Sequence, residues 1–372
     1  MSKIHISLVG GQPMPVYLGI MDETPDKIIL ICSESSQRQA NSISNAIKTK
    51  TGKICKLVFF PPANFVEIKI RLKLLDSEYT EKDELTVNIS GGSKPWSLLF
   101  NEYFSNISNA NCVFIDQNNN RWNTRNNDVR KIDYIPDINE IFELNGTKVK
   151  SHKTLADYKE DDFKAIRQIR DIRNKNPKAF HEIIDQLKES TIGKYHNCSI
   201  EWDYSSQDFH CEFKDRYGRE FVKDIWSPNI RDVIMNTHWF ELEVAKFLSK
   251  WEYAQDIWLN CEFTVDKSQN NTTFNEIDII VNTGEKLLFV ECKTQVYHSI
   301  DIDKFNNAVK NYGGLAAKRI FITDNEMETN SADKCVNAEI PYFPFQEIKK
   351  SQANEKLFFE FLSKELKVIN KK

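Results

Sequence analysis

The densest chemical signal in this 372-residue chain is the segment FNEIDIIVNTGEKLLFVECKT, residues 274–294. Strand side chains alternate between the two faces of a sheet. Glu276, Asp278 and Ile280 therefore share one face of a first strand, and Phe289, Glu291 and Lys293 share one face of a second. The intervening NTGEK is short enough for a hairpin turn. Pairing the two strands brings Asp278, Glu291 and Lys293 together. Two carboxylates and an ammonium suit metal-assisted phosphodiester hydrolysis, in which hard oxygens hold Mg2+ or Mn2+. The metal lowers the pKa of a bound water and steadies charge on the phosphate. The lysine orients that water and screens the phosphorane. A third carboxylate is expected from a preceding helix, and Glu241 in HWFELEV is the candidate. Glu243, two residues on, lies on a different helical face. The expected catalytic set is Asp278, Glu291, Lys293, Glu241 and Glu276, with Asp278, Glu291 and Glu241 as metal ligands. Glu276 ranks second to Asp278.

Charged residues alternating with apolar ones also mark any half-solvated strand. What favours a site is the order: a helical Glu, then ExD on one strand, then ExK on the next. His238 and His298 flank the region, and Thr294 and Gln295 follow the lysine as weak candidates for substrate contact. Lys318 opens the next strand and is read as solvated.

A second group of chemistry-bearing residues lies in three strand-to-helix loops of the first half: SLVGGQPMP (7–15), CSESSQ (32–37) and NISGGSKPW (88–96). Gly91 and Gly92 permit backbone geometries other residues resist. Ser93 is the expected N-cap of the following helix, with Lys94 and Pro95 in its first turn. A helix N-terminus beside a lysine, at the carboxyl end of a parallel strand, is an anion site in such folds. GGQPMP lacks the GxGxxG of nicotinamide sites, and Glu34 alone is a weak ribose ligand. SGGSK is not a P-loop, which needs GxxxxGK[ST].

The elements that must position these residues fall into two groups. Strands are expected at 4–10, 27–32, 54–60, 85–90 and 111–116, with helical patterns at 35–52, 64–77 and 94–107 and a short strand near 121–123. Val/Ile/Leu-rich strands separated by helices imply a parallel sheet covered on both faces. From about residue 200 the order changes. Short aromatic-rich strands come first, then a helix near 230–250, strands over WLNCEFTV, FNEIDIIVN and KLLFVECKT, a helix at 301–312 and a strand at 318–324. The fold class is α/β throughout. The expected domains are 1–135, a connector at 136–200 rich in Lys and Arg, and 201–372.

Hydrophobic residues make up 40% and charged residues 28% of the chain. That composition excludes a largely disordered polypeptide. The formal charge of −4 removes a whole-chain basic signature for duplex binding, although the charge that matters to a nuclease is local. No run is long and apolar enough to span a membrane, and MSKIHISLVGGQPMP does not read as a signal peptide. Eight cysteines form no CxxC pair. They read as small core residues of a protein in a reducing cytoplasm.

Asp278, Glu291-Cys292-Lys293 and the preceding Glu241 resemble the PD-(D/E)XK nuclease superfamily over about residues 200–325. Ile277 stands where the literal motif has proline. The loops SLVGGQPMP and NISGGSKPW, on a Rossmann-like sheet, resemble the CARF domains of type III CRISPR systems. Together the halves resemble the CARF-fused nucleases activated by cyclic oligoadenylates. That resemblance implies a ligand-sensing, dimerising CARF domain and a restriction-endonuclease-like nuclease domain. It also implies a homodimer, whose paired rims suit a symmetric cyclic tetra-adenylate. Gly11, Gln12, Ser33, Ser35, Gly91, Gly92, Ser93 and Lys94 match the ligand-binding loops. The substrate implied is single-stranded RNA or DNA, or duplex DNA that is nicked, cut with Mn2+ or Mg2+. Two other readings stand beside it. One is a CARF-type regulator that binds nucleic acid without cleaving it, and the other is a ring nuclease that degrades its own ligand.

Overall fold

In the computed structural model the described residues are 1–215, 217–235, 238–264, 276–284, 286–296, 300–312 and 317–366. The chain divides into two compact units, one spanning Met1–Val149 and the other beginning at Lys150.

The first unit is a seven-stranded sheet in the order β3-β2-β1-β4-β5-β6-β7. Its strands are β1 (Lys3–Leu8), β2 (Lys27–Cys32), β3 (Cys55–Phe59), β4 (Glu84–Asn88), β5 (Ala110–Ile115), β6 (Asn120–Asn123) and β7 (Val129–Lys131). The first five are parallel, and β6 and β7 add an antiparallel edge. Its helices are α1 (Met14–Glu23), α2 (Gln37–Thr51), α3 (Phe65–Leu74), α4 (Lys94–Ser105) and α5 (Ile138–Leu144). Alternation sends successive strand residues into different cores. Ile29 and Ile31 pack with α3 and α4 residues such as Ile68 and Phe100. Ile28, Leu30 and Cys32 pack with α1 and α2 residues such as Tyr17 and Ile43. Burial on both faces is what lets these strands be apolar almost throughout.

Sequence periodicity omits α1. Two prolines fall at its start, and Val16, Tyr17, Leu18, Gly19, Ile20 and Met21 are all buried. A helix without a polar face leaves no 3.6-residue pattern to read.

The second unit contains β8 (Val149–Thr154), α6 (Glu160–Lys175), α7 (Pro177–Leu187), β9 (Ile192–Tyr195), β10 (Cys198–Asp203), β11 (Asp208–Lys214) and β12 (Glu220–Trp226). It continues with α8 (Ile230–Met235), α9 (His238–Leu248), β13 (Asp256–Phe263), β14 (Glu276–Asn282), β15 (Leu287–Lys293), α10 (Ile300–Tyr312) and β16 (Lys318–Thr323). It ends with α11 (Thr329–Asn337), β17 (Tyr342–Pro344), α12 (Phe345–Lys349) and α13 (Gln352–Leu366). Residues 150–200 thus contribute β8, α6, α7, β9 and the start of β10 here. A four-stranded antiparallel sheet, β12-β11-β10-β9, and a six-stranded mixed sheet, β17-β16-β15-β14-β13-β8, share one apolar core. Ile279, Val281, Leu288, Val290 and Cys292 enter that core, against α9 residues such as Leu242 and Val244.

Candidate functional site

In the first unit, three loops leave the carboxyl ends of β2, β1 and β4, which are neighbours in the sheet. Between β1 and β4 the connections diverge to opposite sides, the switch point where ligands bind in open α/β sheets. The two glycine loops pack backbone on backbone. A Cβ on Gly10 would lie 2.8 Å from the Gly92 nitrogen, and one on Gly91 would lie 2.1 Å from the Leu8 carbonyl oxygen. Gly92 has φ +76°, and a Cβ there would also strike the Trp96 ring at 2.6 Å. Gly11 is different: an added Cβ meets nothing within 4 Å, so packing does not require a glycine there.

Ser93 caps α4, its Oγ accepting from Trp96 N at 3.4 Å and donating to Pro62 O at 2.7 Å. Lys94 is exposed beside it, as are Gln12 and Ser35, whereas Ser33 is buried. The Ser33 and Ser35 hydroxyls lie 2.9 Å apart. Sequence reasoning passed over Asn88. Its buried amide donates to Pro15 O at 3.1 Å and accepts from Ser90 N at 3.0 Å, tying the end of β4 to the start of α1.

In the second unit, β14 and β15 pair antiparallel with Ile279 opposite Val290. The next positions along that register are Asp278 and Glu291. There the ladder opens, and Asp278 Oδ2 accepts from Cys292 N at 2.7 Å. The Lys293 ammonium sits 2.7 Å from Glu291 Oε1 and 3.6 Å from Asp278 Oδ2. Asp278 and Glu291 are both buried.

Glu241, buried on the first turn of α9, accepts from Asn260 Nδ2 at 2.6 Å. Burial and the Asp278 carboxylate push Glu241 well above the usual carboxylate range. The same causes push Glu291 up to about 8, and they also raise the partly exposed Glu276. Burial opposes the charge on Lys293, but Asp278 and Glu291 outweigh it and raise its pKa. The single ammonium therefore stands among carboxyl groups that tend to keep their protons. Among the described residues, no group of three or more His, Cys, Asp or Glu converges closely enough to hold a metal as the side chains stand.

The flanking residues lie at the edge of the cluster or outside it. His238 Nε2 is 3.9 Å from Glu241 Oε2, too far for a hydrogen bond. His298 lies outside the described residues. Lys318 pairs with Leu288, at the far end of β15, and lies 3.9 Å from Glu365. Glu243 is held by Arg170 and Lys349.

Beside Lys293, a buried ionic network fixes α6 to the end of β16. Asp324 N donates to Lys293 O at 3.1 Å. The Asp324 carboxylate binds Arg170 at 2.6 Å, Arg173 at 2.5 Å and Gln346 at 2.8 Å. Breaking a buried pair by removing one partner costs about 3–5 kcal/mol. Asp324→Ala is expected to lose stability of that order in denaturant titrations of the full chain. A loss comparable to an exposed pair would show that solvent reaches the network.

The raised carboxyl groups also set a pH dependence. Glu291 binds protons more tightly folded than unfolded, so its contribution favours the folded chain at low pH. That contribution falls as pH rises from the ordinary 4.5 towards about 8. In EDTA, the parent chain is expected to lose more Tm than Glu291→Gln between about pH 5 and about pH 8. Parallel Tm profiles would contradict the assignment.

Residues 4–141 match the family model of the Card1 CARF domain. This segment is a CARF domain. No curated protein is similar enough in sequence to count as a match. Among solved structures, Can2 from Sulfobacillus thermosulfidooxidans, in complex with cyclic tetra-adenylate, superposes with a TM-score of 0.66 at 15% identity. That match covers 96% of this chain and 98% of Can2. Protein VC1899 from Vibrio cholerae gives a TM-score of 0.71 at 14% identity, over 96% of this chain and 98% of that one. A type III CRISPR defence DNA nuclease activated by cyclic oligoadenylate gives 0.59 at 13% identity; the match covers 95% of this chain but 52% of the nuclease. At these identities the likeness is one of fold: a CARF domain followed by a second α/β unit. Among the described residues, no helix is long and apolar enough to cross a membrane.

Proposed function

We propose that the chain is an effector-gated, metal-dependent endonuclease of CRISPR defence. Cyclic tetra-adenylate bound on the CARF rim turns on phosphodiester hydrolysis at the cluster of Asp278, Glu291, Lys293 and Glu241. The observation that carries this reading is the Lys293 ammonium held between two buried carboxylates where the β14–β15 ladder opens. The unit follows a CARF domain, and the whole chain shares its fold with Can2.

The acids suit a hard divalent cation, Mn2+ or Mg2+. They present carboxyl oxygens from three elements and already hold a cation, the ammonium, as a stand-in. Such an ion would supply an activated water and charge stabilisation at the phosphate. The chain's own residues do the rest. Asp278, fixed by the Cys292 amide, and Glu291 present oxygens from adjacent strands. Glu241 closes the set from α9, and Glu276 is the auxiliary acid. Lys293, released from Glu291, orients the attacking water and screens the charged phosphate. In the CARF domain, Gly11, Gln12, Ser33, Ser35, Gly91, Gly92, Ser93 and Lys94 take the activator. Two protomers offer matched rims to a symmetric ring. The second unit belongs, on this reading, with the PD-(D/E)XK nucleases and cuts RNA or DNA.

The test is to incubate the full chain with labelled single-stranded RNA, single-stranded DNA and supercoiled duplex, with Mg2+ or Mn2+, with and without cyclic tetra-adenylate. Cleavage of at least one substrate that depends on the ring supports the proposal. No cleavage of any substrate, alongside tight binding of the ring, would leave a non-cleaving CARF regulator.

A further inference from the structure

Asn260 stands in the middle of β13, in an otherwise apolar run, and only 8% of it is exposed. It lies between the Leu259–Ile279 and Cys261–Ile277 pairs, which puts it across the ladder from Asp278. Its backbone is left-handed, with φ +50°, a conformation that asparagine tolerates better than most residues but that is foreign to a strand interior. The side chain faces two of the acids. Nδ2 donates to Glu241 at 2.6 Å, and the amide also lowers the proton affinity of Glu276. Ionised Glu241, the form that would hold a cation, can only accept, so in that form the nitrogen faces Glu241 and the oxygen is the atom left over. That oxygen is buried and meets no donor. A buried amide oxygen without a partner is costly, and a hard cation is a partner that would satisfy it.

We propose that Asn260 is a positioning residue and oxygen donor of the acidic cluster, holding Glu241 on its amide nitrogen and turning its amide oxygen to the cation shared with Asp278. This rests on the metal-site reading given above.

The test measures Mn2+ binding to the full chain by calorimetry and by the Mn2+ electron-spin resonance signal. It compares the parent with Asn260→Gly, Asn260→Ala and Asn260→Asp, and records Tm in EDTA for each. Glycine accepts the backbone freely but lacks the amide, so Asn260→Gly is expected to keep its Tm and weaken Mn2+ binding by about tenfold or more. Asn260→Asp, which restores an oxygen at the same reach, is expected to recover binding. Mn2+ affinity and spectrum unchanged in Asn260→Gly would overturn the inference and leave a backbone role. Failure of the parent itself to bind Mn2+ would overturn the metal-site reading, and this inference with it.

Discussion

Asp278→Asn, Glu291→Gln and Lys293→Ala are each expected to lower activator-dependent cleavage by about a hundredfold or more, the usual loss when a group acting on the charged transition state is removed. The reason is geometric. Lys293 reaches both carboxylates from a single position, so the three act as a unit and their losses are not additive. Binding of cyclic tetra-adenylate is expected to be unchanged, because all three residues lie in the second unit. Single-turnover cleavage and ring binding on the same preparations give both readings. Full activity in the three variants would end the assignment of this cluster as the nuclease site. The lysine variant carries a second expectation. Without its ammonium no cation of the chain competes for Asp278 and Glu291, so Lys293→Ala should bind Mn2+ at least as tightly as the parent while failing to cut.

The second large effect concerns the glycine loops. Gly92→Asp combines a positive φ with a Cβ driven into the Trp96 ring. Gly91→Ala sets a Cβ against the Leu8 carbonyl oxygen, a backbone atom that cannot move without β1. Relief of about 1–3 kcal/mol of backbone strain by a loop that leaves its ligand-binding shape corresponds to roughly a fivefold to hundredfold rise in the activator concentration needed. Lys94→Ala, which leaves the loop intact, is expected to shift the titration less. Unchanged activator titrations for Gly91→Ala and Gly92→Asp would show that the ring binds elsewhere.

The sequence carried the first unit well because its strands are buried on both faces. Runs such as KIILIC admit one reading, and β1 to β5 fall within a residue or two of their expected spans at the start. Helix α1 escaped for the mirror-image reason: buried on every side, it shows no stripe. Strand β8, VKSHKT, escaped because its residues are mostly polar and exposed. In the second unit, alternation in EIDII and FVECK indicated which side chains enter the core. It did not foretell that the ladder opens at Asp278, whose carboxylate takes a backbone amide hydrogen bond. Asn260 and Asn88 were invisible for a different reason. Their roles depend on a left-handed backbone in one case and on a contact with Pro15, in the first turn of α1, in the other, and neither is a property of local sequence. The Asp324 network likewise joins residues some 150 positions apart.

The most direct measurement of the central claim is the initial cleavage rate, with cyclic tetra-adenylate present, as EDTA is added and Mn2+ is then returned in excess. The account predicts that the parent chain falls silent in EDTA and recovers on Mn2+ addition, while Asp278→Asn stays silent throughout. Cleavage that continues undiminished in EDTA, or that returns equally in Asp278→Asn, would contradict it.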